Sequence, residues 1–498
     1  MIIAHDLGTT GNKASLVDSD GRLVASVTVG YPADFDLGGK AEQNPEDWWQ
    51  ALAGATRELL ARASVKNTDI AAVSFSGQMM GAVFLDGAGD YVRPAMIWAD
   101  TRSTSQCQQL IDAVGMEEGY RITGHRLNPT YSLSKMMYIR DTEPDTFARV
   151  RKIVLAKDYL AFRLSGVLAT DPSDASSTNA YDQSTGKWSD ELIGASGLDR
   201  ILFPEIVEST TVIGSVTRDA AAATGLAEGT PVVIGGGDGP TAALGAGIID
   251  ETSGAYTYLG SSSWVSVSAP APLHDPKMRS MTFNHVIPGY FVPTATMQAG
   301  GASLQWIANL LSPDAEDRYT DLLAKADTVE AAGEGLYFLP HLLGERSPYW
   351  NPRARAAFVG LSMHHGRGHM TKAVLEGIAF NLYTGLKAFT ENGRAVETID
   401  AIGGAANSSA LLQIFADVWG IPVNRRNIVE EANALGAAVV GGVGVGIFPD
   451  FSIAQRMSDR TPGNQVQANR SAGYQREYAT FMDAYQRLEP WFETLPRS

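Results

Sequence analysis

A chain of 498 residues has room for two or three domains, and 39 Lys+Arg against 55 Asp+Glu leave it a formal charge of −16. A surface that holds a polyanion is ordinarily basic, so this balance argues against nucleic acid and anionic membrane as partners, while a local basic pocket for a small phosphorylated ligand stays open. With 44% apolar and 19% charged residues the chain is globular rather than disordered, and its one cysteine, Cys107, excludes an intrachain disulfide or an all-cysteine metal site.

The opening MIIAHDLGTTGNK carries Asp6 and Lys13 where a signal peptide would be apolar, so a cytoplasmic location is expected. Short β-type stretches at 2–4, 13–17 and 23–29 are separated by glycine turns. From Pro45 the period becomes helical, with Trp48, Leu52, Ala55, Leu59 and Leu60 on one stripe. DIAAVSFSGQMM then predicts a buried strand, and residues 232–234 a second one running into three glycines and Asp238. In the second half a strand at 254–259 enters GSSS, with WVSVS as its hairpin partner. A long helix from His369 carries Met370, Val374, Ile378 and Leu382, and TIDAI predicts a strand running into GGAANSS. The next helix has Leu411, Phe415 and Trp419 on its core side and ends at Gly420 and Pro422. The longest nearly apolar run, 434–448, is glycine-rich and too short to span a bilayer comfortably. Both halves thus share one order of elements, which predicts two related α/β domains meeting at a cleft, divided near 247–254.

Several loops could carry chemistry. In DLGTTGNK the glycines permit a turn whose N–H groups converge on an anion, Thr9 and Thr10 add hydroxyls, and Lys13 adds charge. Asp6 would repel phosphate directly and makes more sense holding a hydrated divalent cation. An ordinary hairpin turn with a surface lysine fits the same residues. Gly260 and Ser261 open the corresponding loop of the other half. Neither Gly-Lys pair is followed by Ser or Thr, so there is no Walker A loop, and no GxGxxG is completed. Asp238, fixed after a strand and a glycine triplet, can accept the proton of a hydroxyl that attacks phosphorus, although a turn-capping aspartate would look the same. Gln78, Met79 and Met80 in SGQMMG, with Trp98 and Asp100 in IWADTR, are candidate acceptor contacts: an amide, a ring for a sugar face and a carboxylate for hydroxyls. The methionines suit a core equally well. The turn at Gly404, Ala405 and Asn407 could admit an adenine ring or merely seat a helix. His365 and His369 lie four apart but lack an HExxH glutamate, so polar caps are expected there rather than a metal site.

These motifs, in order, resemble the FGGY carbohydrate kinases over nearly the whole chain: DLGTTGNK, AEQNPEDWW, SGQMMGAVFLD, IWADTRS, GGGDG, LLGERSPYWNPRARAAFVGL, HMTKAVLEGIAF and GGAANSSALLQIFAD. The resemblance implies two actin-like (ribonuclease H-like) domains around a central cleft. Residues 1–249 would hold the carbohydrate and the catalytic Asp238, and residues 250–498 would hold ATP. It implies Mg2+ at Asp6, phosphate contacts from Thr10, Lys13 and Ser261, an adenosine-side loop at Gly404, and sugar contacts from Gln78 and Trp98. The implied reaction is ATP-dependent phosphorylation of a small ketose, D-xylulose first, with another pentulose, hexulose or polyol such as ribulose or glycerol as alternatives. Neither nucleic acid nor membrane is an expected partner, and a homodimer is compatible with the chain. A nucleotide-switched ATPase of the actin or chaperone type is the alternative from another class. Three positions depart from the pattern usual in members acting on xylulose: Met80 replaces histidine, Ala99 and Gly239 replace asparagine. Losing three polar groups from one side of a sugar pocket should change which hydroxyls it matches.

Overall fold

The computed structural model describes residues 1–313, 317–427 and 431–496. Two seven-stranded sheets organise it. The first is built from β1 (Ile2–Leu7), β2 (Gly11–Val17), β3 (Leu23–Gly30), β4 (Ala72–Gly77), β5 (Val212–Ser215) and β6 (Pro231–Val233), in the order β5-β6-β4-β1-β2-β3. The short pair Gly236–Gly237 adds to β4 off this path. The second contains β7 (Ala255–Leu259), β8 (Ser263–Val267), β9 (Met281–Asn284), β10 (Phe291–Met297), β11 (Ile399–Ile402), β12 (Val423–Arg426) and β13 (Arg460–Asn464), in the order β9-β10-β8-β7-β11-β12-β13.

The halves repeat one another. β1 pairs antiparallel with β2 and parallel with β4, and β7 pairs antiparallel with β8 and parallel with β11. Each hairpin therefore points its turn, residues 8–10 or 260–262, off the same end of its sheet. Register places Asp6 opposite Lys13 on one side and Ser76 on the other.

Local sequence accounts for the helices that frame the cleft. α1 (Pro45–Ala63) starts where the Asn44 side chain accepts from the Glu46 N–H at 3.1 Å, has proline in its first turn, and ends at Ser64 in a left-handed conformation. Trp48, Leu52, Ala55 and Leu59 are buried against the first sheet, each large side chain contributing about 1.5–3 kcal/mol. α2 (Ala156–Ser165) packs beside it, and α3 (Asp238–Gly245) follows the glycine triplet. α4 (Arg367–Thr390) begins before His369, because that imidazole Nδ1 accepts the Gly366 N–H at 3.2 Å as a cap. α5 (Ser409–Trp419) is capped by Ser408 and ends at Gly420 in the left-handed region.

The run at 434–448 lies largely in α6 (Ala432–Gly444), and no helix among the described residues is long and apolar enough to cross a membrane. Although α6 comes from the second half of the chain, it packs on β4 and β1 of the first sheet and against α3. Leu435, Ala438 and Val439 share a core with Ile2, Ala72 and Val233. Glycines allow the approach: a Cβ at Gly436 would strike the Thr241 carbonyl, and one at Gly245 the Ala432 carbonyl.

Candidate functional site

A cavity of about 430 Å³ lies between the halves. The first half lines it with Met79, Met80, Trp98 and Asp238, and the second with Ser261, Trp264, Met281, Arg346 and Asn433. A larger hollow of about 740 Å³ beside Asp86, Phe162 and Leu202 contains none of the residues singled out from sequence.

Asp238 occupies the first turn of α3 rather than a strand edge, its Oδ1 accepting the Gly239 N–H at 2.7 Å. The glycines before it are dictated by crowding. Gly235 has φ +74° and its missing Cβ would strike the Phe75 carbonyl, and a Cβ at Gly237 would lie 2.7 Å from the Met79 sulfur. Burial, and secondarily the Asp6 carboxylate, raise the Asp238 pKa to about 7. Asp6 is itself raised by burial, opposed by hydrogen bonds from Asn433 and Ser76 and by the Lys13 charge. Its Oδ1 accepts from Ser76 Oγ at 3.0 Å and Asn433 Nδ2 at 3.2 Å, and Thr241 Oγ1 lies 2.9 Å from Ser76 Oγ, linking α3 to β1. The Asp6 carboxylate, with the Ser76 hydroxyl beside it, offers the hard oxygen donors that suit a hydrated Mg2+.

The glycine turn is anchored from behind by charge. Gly237 donates its N–H to Ser173 Oγ at 2.9 Å, and Ser173 Oγ donates to Asp171 at 2.5 Å. Asp171 also meets Lys157 Nζ at 2.9 Å, and Lys157, wholly buried on α2, faces Asp158 and Asp174 as well. Burial raises the pKa of Asp174 well above normal, opposed by the Lys157 ammonium and reinforced by the Asp158 and Asp171 carboxylates.

The acceptor-side candidates divide. Met79, Met80 and Trp98 line the cavity, with Met80 in a left-handed backbone conformation, φ 65°. Trp98 Nε1 donates to Thr9 Oγ1 at 2.9 Å, tying the tryptophan to the β1–β2 turn and leaving the Thr9 O–H as a donor. Gln78 and Asp100 are placed differently from the expectation that they touch the acceptor. Gln78 is buried outside the cavity lining, its amide donating to Gln43 Oε1 at 2.8 Å. Asp100 is fully buried and accepts from the Ala41 N–H at 2.9 Å and from Arg102 at 2.6 Å. Asp100 is thus taken up by protein partners, whereas Gln78 keeps a buried Oε1 without a hydrogen-bond partner.

Of the nucleotide-side candidates, Ser261 lines the cavity and Gly260 precedes it in the β7–β8 turn. Thr10 is exposed in the β1–β2 turn, and Lys13 follows on β2. Gly404, Ala405 and Asn407 form a separate 3₁₀ turn outside the cavity, where Asn407 Nδ2 donates to the Gly404 carbonyl at 3.2 Å.

Sequence reasoning missed Asn433, Arg346 and Lys135. Lys135 is buried, its Nζ donating to the carbonyls of Met80, Ile97 and Thr130 at 2.6–2.9 Å, and burial lowers its pKa to about 7. It ties the Met80 loop to the Trp98 segment. Arg346 was visible inside LLGERSPYWNPRARAAFVGL without a role, whereas a lysine satisfied by carbonyls leaves no local pattern.

Two sheets that repeat one pairing order, β1 with β2 and β4 and β7 with β8 and β11, enclose a cavity lined by Asp238 from one half and Ser261 from the other, the arrangement of an actin-like phosphotransferase. The chain belongs to the FGGY family of carbohydrate kinases: the family's N-terminal domain matches residues 1–245 and its C-terminal domain residues 255–445. It is an ATP-dependent carbohydrate kinase with two actin-like (ribonuclease H-like) domains, and its acceptor is a small-molecule sugar. That membership decides against the protein-switch alternative. The xylulose kinase of Bacillus subtilis (strain 168) is 34% identical over 447 residues, 90% of this chain and 89% of that protein. The ligand-bound xylulose kinase of Lactobacillus acidophilus superposes with a TM-score of 0.93 at 27% identity, covering 99% of each chain. The gluconate kinase of the same organism gives 0.92 at 27% identity over 98% of each chain.

Proposed function

We propose that the chain transfers the γ-phosphoryl group of ATP to a terminal hydroxyl of a small ketose, D-xylulose first, giving D-xylulose 5-phosphate. One observation carries the reading: a single cavity holds Asp238 beside the Met79–Met80–Trp98 wall, with Ser261 of the opposite half facing it. The names of the relatives supply the substrate.

In this reading residues 1–249 hold the acceptor and residues 250–498 the nucleotide. Asp238 accepts the hydroxyl proton as that oxygen attacks the γ-phosphorus, and the bond to the β-bridging oxygen breaks. Its raised pKa is useful here, since a base near neutrality takes a proton readily and remains largely ionised at slightly alkaline pH. The turns carrying Thr10 and Ser261, with Lys13, hold the phosphates, and the Gly404–Ala405–Asn407 turn meets the adenosine side. Asp6 would hold Mg2+ through its carboxylate and intervening water. Bound there, the ion supplies charge neutralisation for the phosphate oxygens. Trp98 packs on the apolar face of the acceptor, its ring fixed by Thr9.

The test is an ADP-coupled assay over ketoses, polyols and D-xylulose with mass identification of the product. D-xylulose should be phosphorylated at its terminal hydroxyl. Phosphorylation of another acceptor with D-xylulose inert would replace the substrate, and no acceptor-stimulated ADP release would overturn the reading.

A further inference from the structure

Away from the cleft, the fold gathers Glu334, His364 and His365, with one donor atom of each lying within 4.8 Å of the other two. None of the three falls in the motifs that carry the family resemblance, and none lines the cavity, so phosphoryl transfer gives them no work. A short hairpin brings them together. Strands Tyr337–Leu339 and Ala357–Val359 pair antiparallel with Tyr337 opposite Val359. Glu334 lies just before the first strand, and the two histidines lie between the second strand and α4. The backbones on the two sides touch, since a Cβ at Gly360 would strike the Gly335 carbonyl. The spacing of His365 and His369 concealed this meeting, because the carboxylate comes from 30 residues before His364 rather than from the helix.

The rings are already oriented. His364 Nδ1 lies 2.8 Å from Ser362 Oγ, which can accept its N–H and leave the Nε2 lone pair facing Glu334 Oε2 at 3.7 Å. His365 Nε2 is enclosed and has no hydrogen-bond partner among the described residues. Its Nδ1 accepts the Ser362 N–H at 3.1 Å and lies 3.4 Å from Ser362 Oγ. Moving the ring proton to Nδ1 gives up the contact with that N–H, finds the second lone pair of the same hydroxyl, and frees Nε2 as a ligand atom. His369 is placed otherwise. Its Nδ1 accepts the Gly366 N–H, so its Nε2–H faces Glu334 Oε2 at 3.4 Å and steadies the carboxylate. Mg2+ and Ca2+ favour oxygen ligands alone, whereas Zn2+ takes His and Glu at about 2.0–2.2 Å, which spaces its donors roughly 3.3 Å apart. Glu334 and His364 stand near that separation, and the exposed Glu334 side chain is free to close the rest. An ion-pair network of protonated rings would use the same glutamate but would leave His365 Nε2 without a partner.

We propose that Glu334, His364 Nε2 and His365 Nε2 form a Zn2+ site completed by water, with Ser362 Oγ and His369 orienting the ligands from behind. The ion closes the two ends of residues 335–360, the segment whose middle carries Leu343 and Arg346 into the cavity wall. It is a brace outside the cavity and takes no part in phosphoryl transfer. The assignment stands independently of the kinase reading and of the Mg2+ at Asp6.

The experiment titrates the full, untagged chain with Zn2+ at near-neutral pH in excess Mg2+, read by calorimetry and thermal melting, with Co2+ as a spectroscopic probe. One Zn2+ per chain should bind and raise Tm, and Co2+ should give the visible absorption of a four-coordinate ion without a thiolate band. Ser362→Ala should weaken Zn2+ binding about 10- to 100-fold, the loss typical of a group that orients a ligand. Glu334→Gln, His364→Ala and His365→Ala should each weaken it beyond that range while melting like the parent in the absence of Zn2+. Asp6→Asn should bind Zn2+ as the parent does, which separates this site from the phosphate end of the cleft. A parent whose Tm does not rise with Zn2+ would overturn the assignment. Parental affinity in any of the three ligand variants, or loss of binding in Asp6→Asn, would also overturn it.

Discussion

Replacing Asp238 by asparagine separates its chemistry from its electrostatic cost. Asparagine keeps the acceptor for the Gly239 N–H, at 2.7 Å in the parent, but cannot take a proton. Phosphoryl transfer should therefore fall roughly 10²- to 10⁴-fold at saturating ATP and acceptor. The parent's kcat/KM should rise with pH and level off above about 7, because protonation below that value removes the base. The stability effect has the opposite sense. With a folded pKa near 7 against an ordinary 3.8, the native state binds the proton more tightly than the unfolded one, so this residue's contribution declines as pH rises from about 4 to 7. The ceiling on that cost is about 4 kcal/mol, and water in the cleft reduces it. Asp238→Asn should accordingly be more resistant to urea than the parent at pH 8, with the gap closing toward pH 4. An ADP-coupled assay and urea titrations at both pH values measure the two effects. A folded variant with near-parental transfer refutes the base assignment, and a variant less stable than the parent at pH 8 refutes the electrostatic account.

Met80→His should shift kcat/KM toward D-xylulose by roughly 5- to 150-fold, since the left-handed backbone at φ 65° tolerates histidine and the imidazole returns a hydrogen bond. An unchanged ratio in competitive turnover would show that water or a neighbouring group already fills that role. Lys157→Met should cost about 3–5 kcal/mol by stranding three buried carboxylates, measured by urea unfolding, and the loss should shrink toward acid pH as they take up protons. A pH-independent loss would point to packing instead. Lys13→Ala should raise KM for ATP while leaving acceptor affinity by calorimetry nearly unchanged, and equal loss of both would place Lys13 in the framework.

The strands at 2–7 and 255–259, the helix from Pro45 and the capped helix at 409–419 were legible because alternation, stripes and caps are local patterns. Asp238 was legible for the same reason, although its helix was hidden by the glycines that precede it. Gln78 and Asp100 misled because polarity does not reveal which partner a side chain meets, and Gln43 and Arg102 lie far away or on the opposite side of a turn. Arg346 and Asn433 reach the cavity from 266 and 355 residues beyond Met80 and Gln78 respectively, a proximity set only by how the halves meet. The Lys157 cluster was invisible since its members look like ordinary surface charges until burial is known.

The packing of α6 on the first sheet bears on dissection of the chain. A fragment ending at residue 249 would contain β1, β4 and β6 yet lack Leu435, Ala438 and Val439, leaving Ile2, Ala72 and Val233 wet along one face. The complementary piece would carry an apolar helix, mean exposure near zero along Ala434–Val440, with no sheet beneath it. Neither piece is a self-contained folding unit, so cutting the polypeptide at its sequence boundary divides a core rather than a linker. Separately made pieces should regain solubility only on mixing, through the backbone-to-backbone crossing at Gly245 and Gly436.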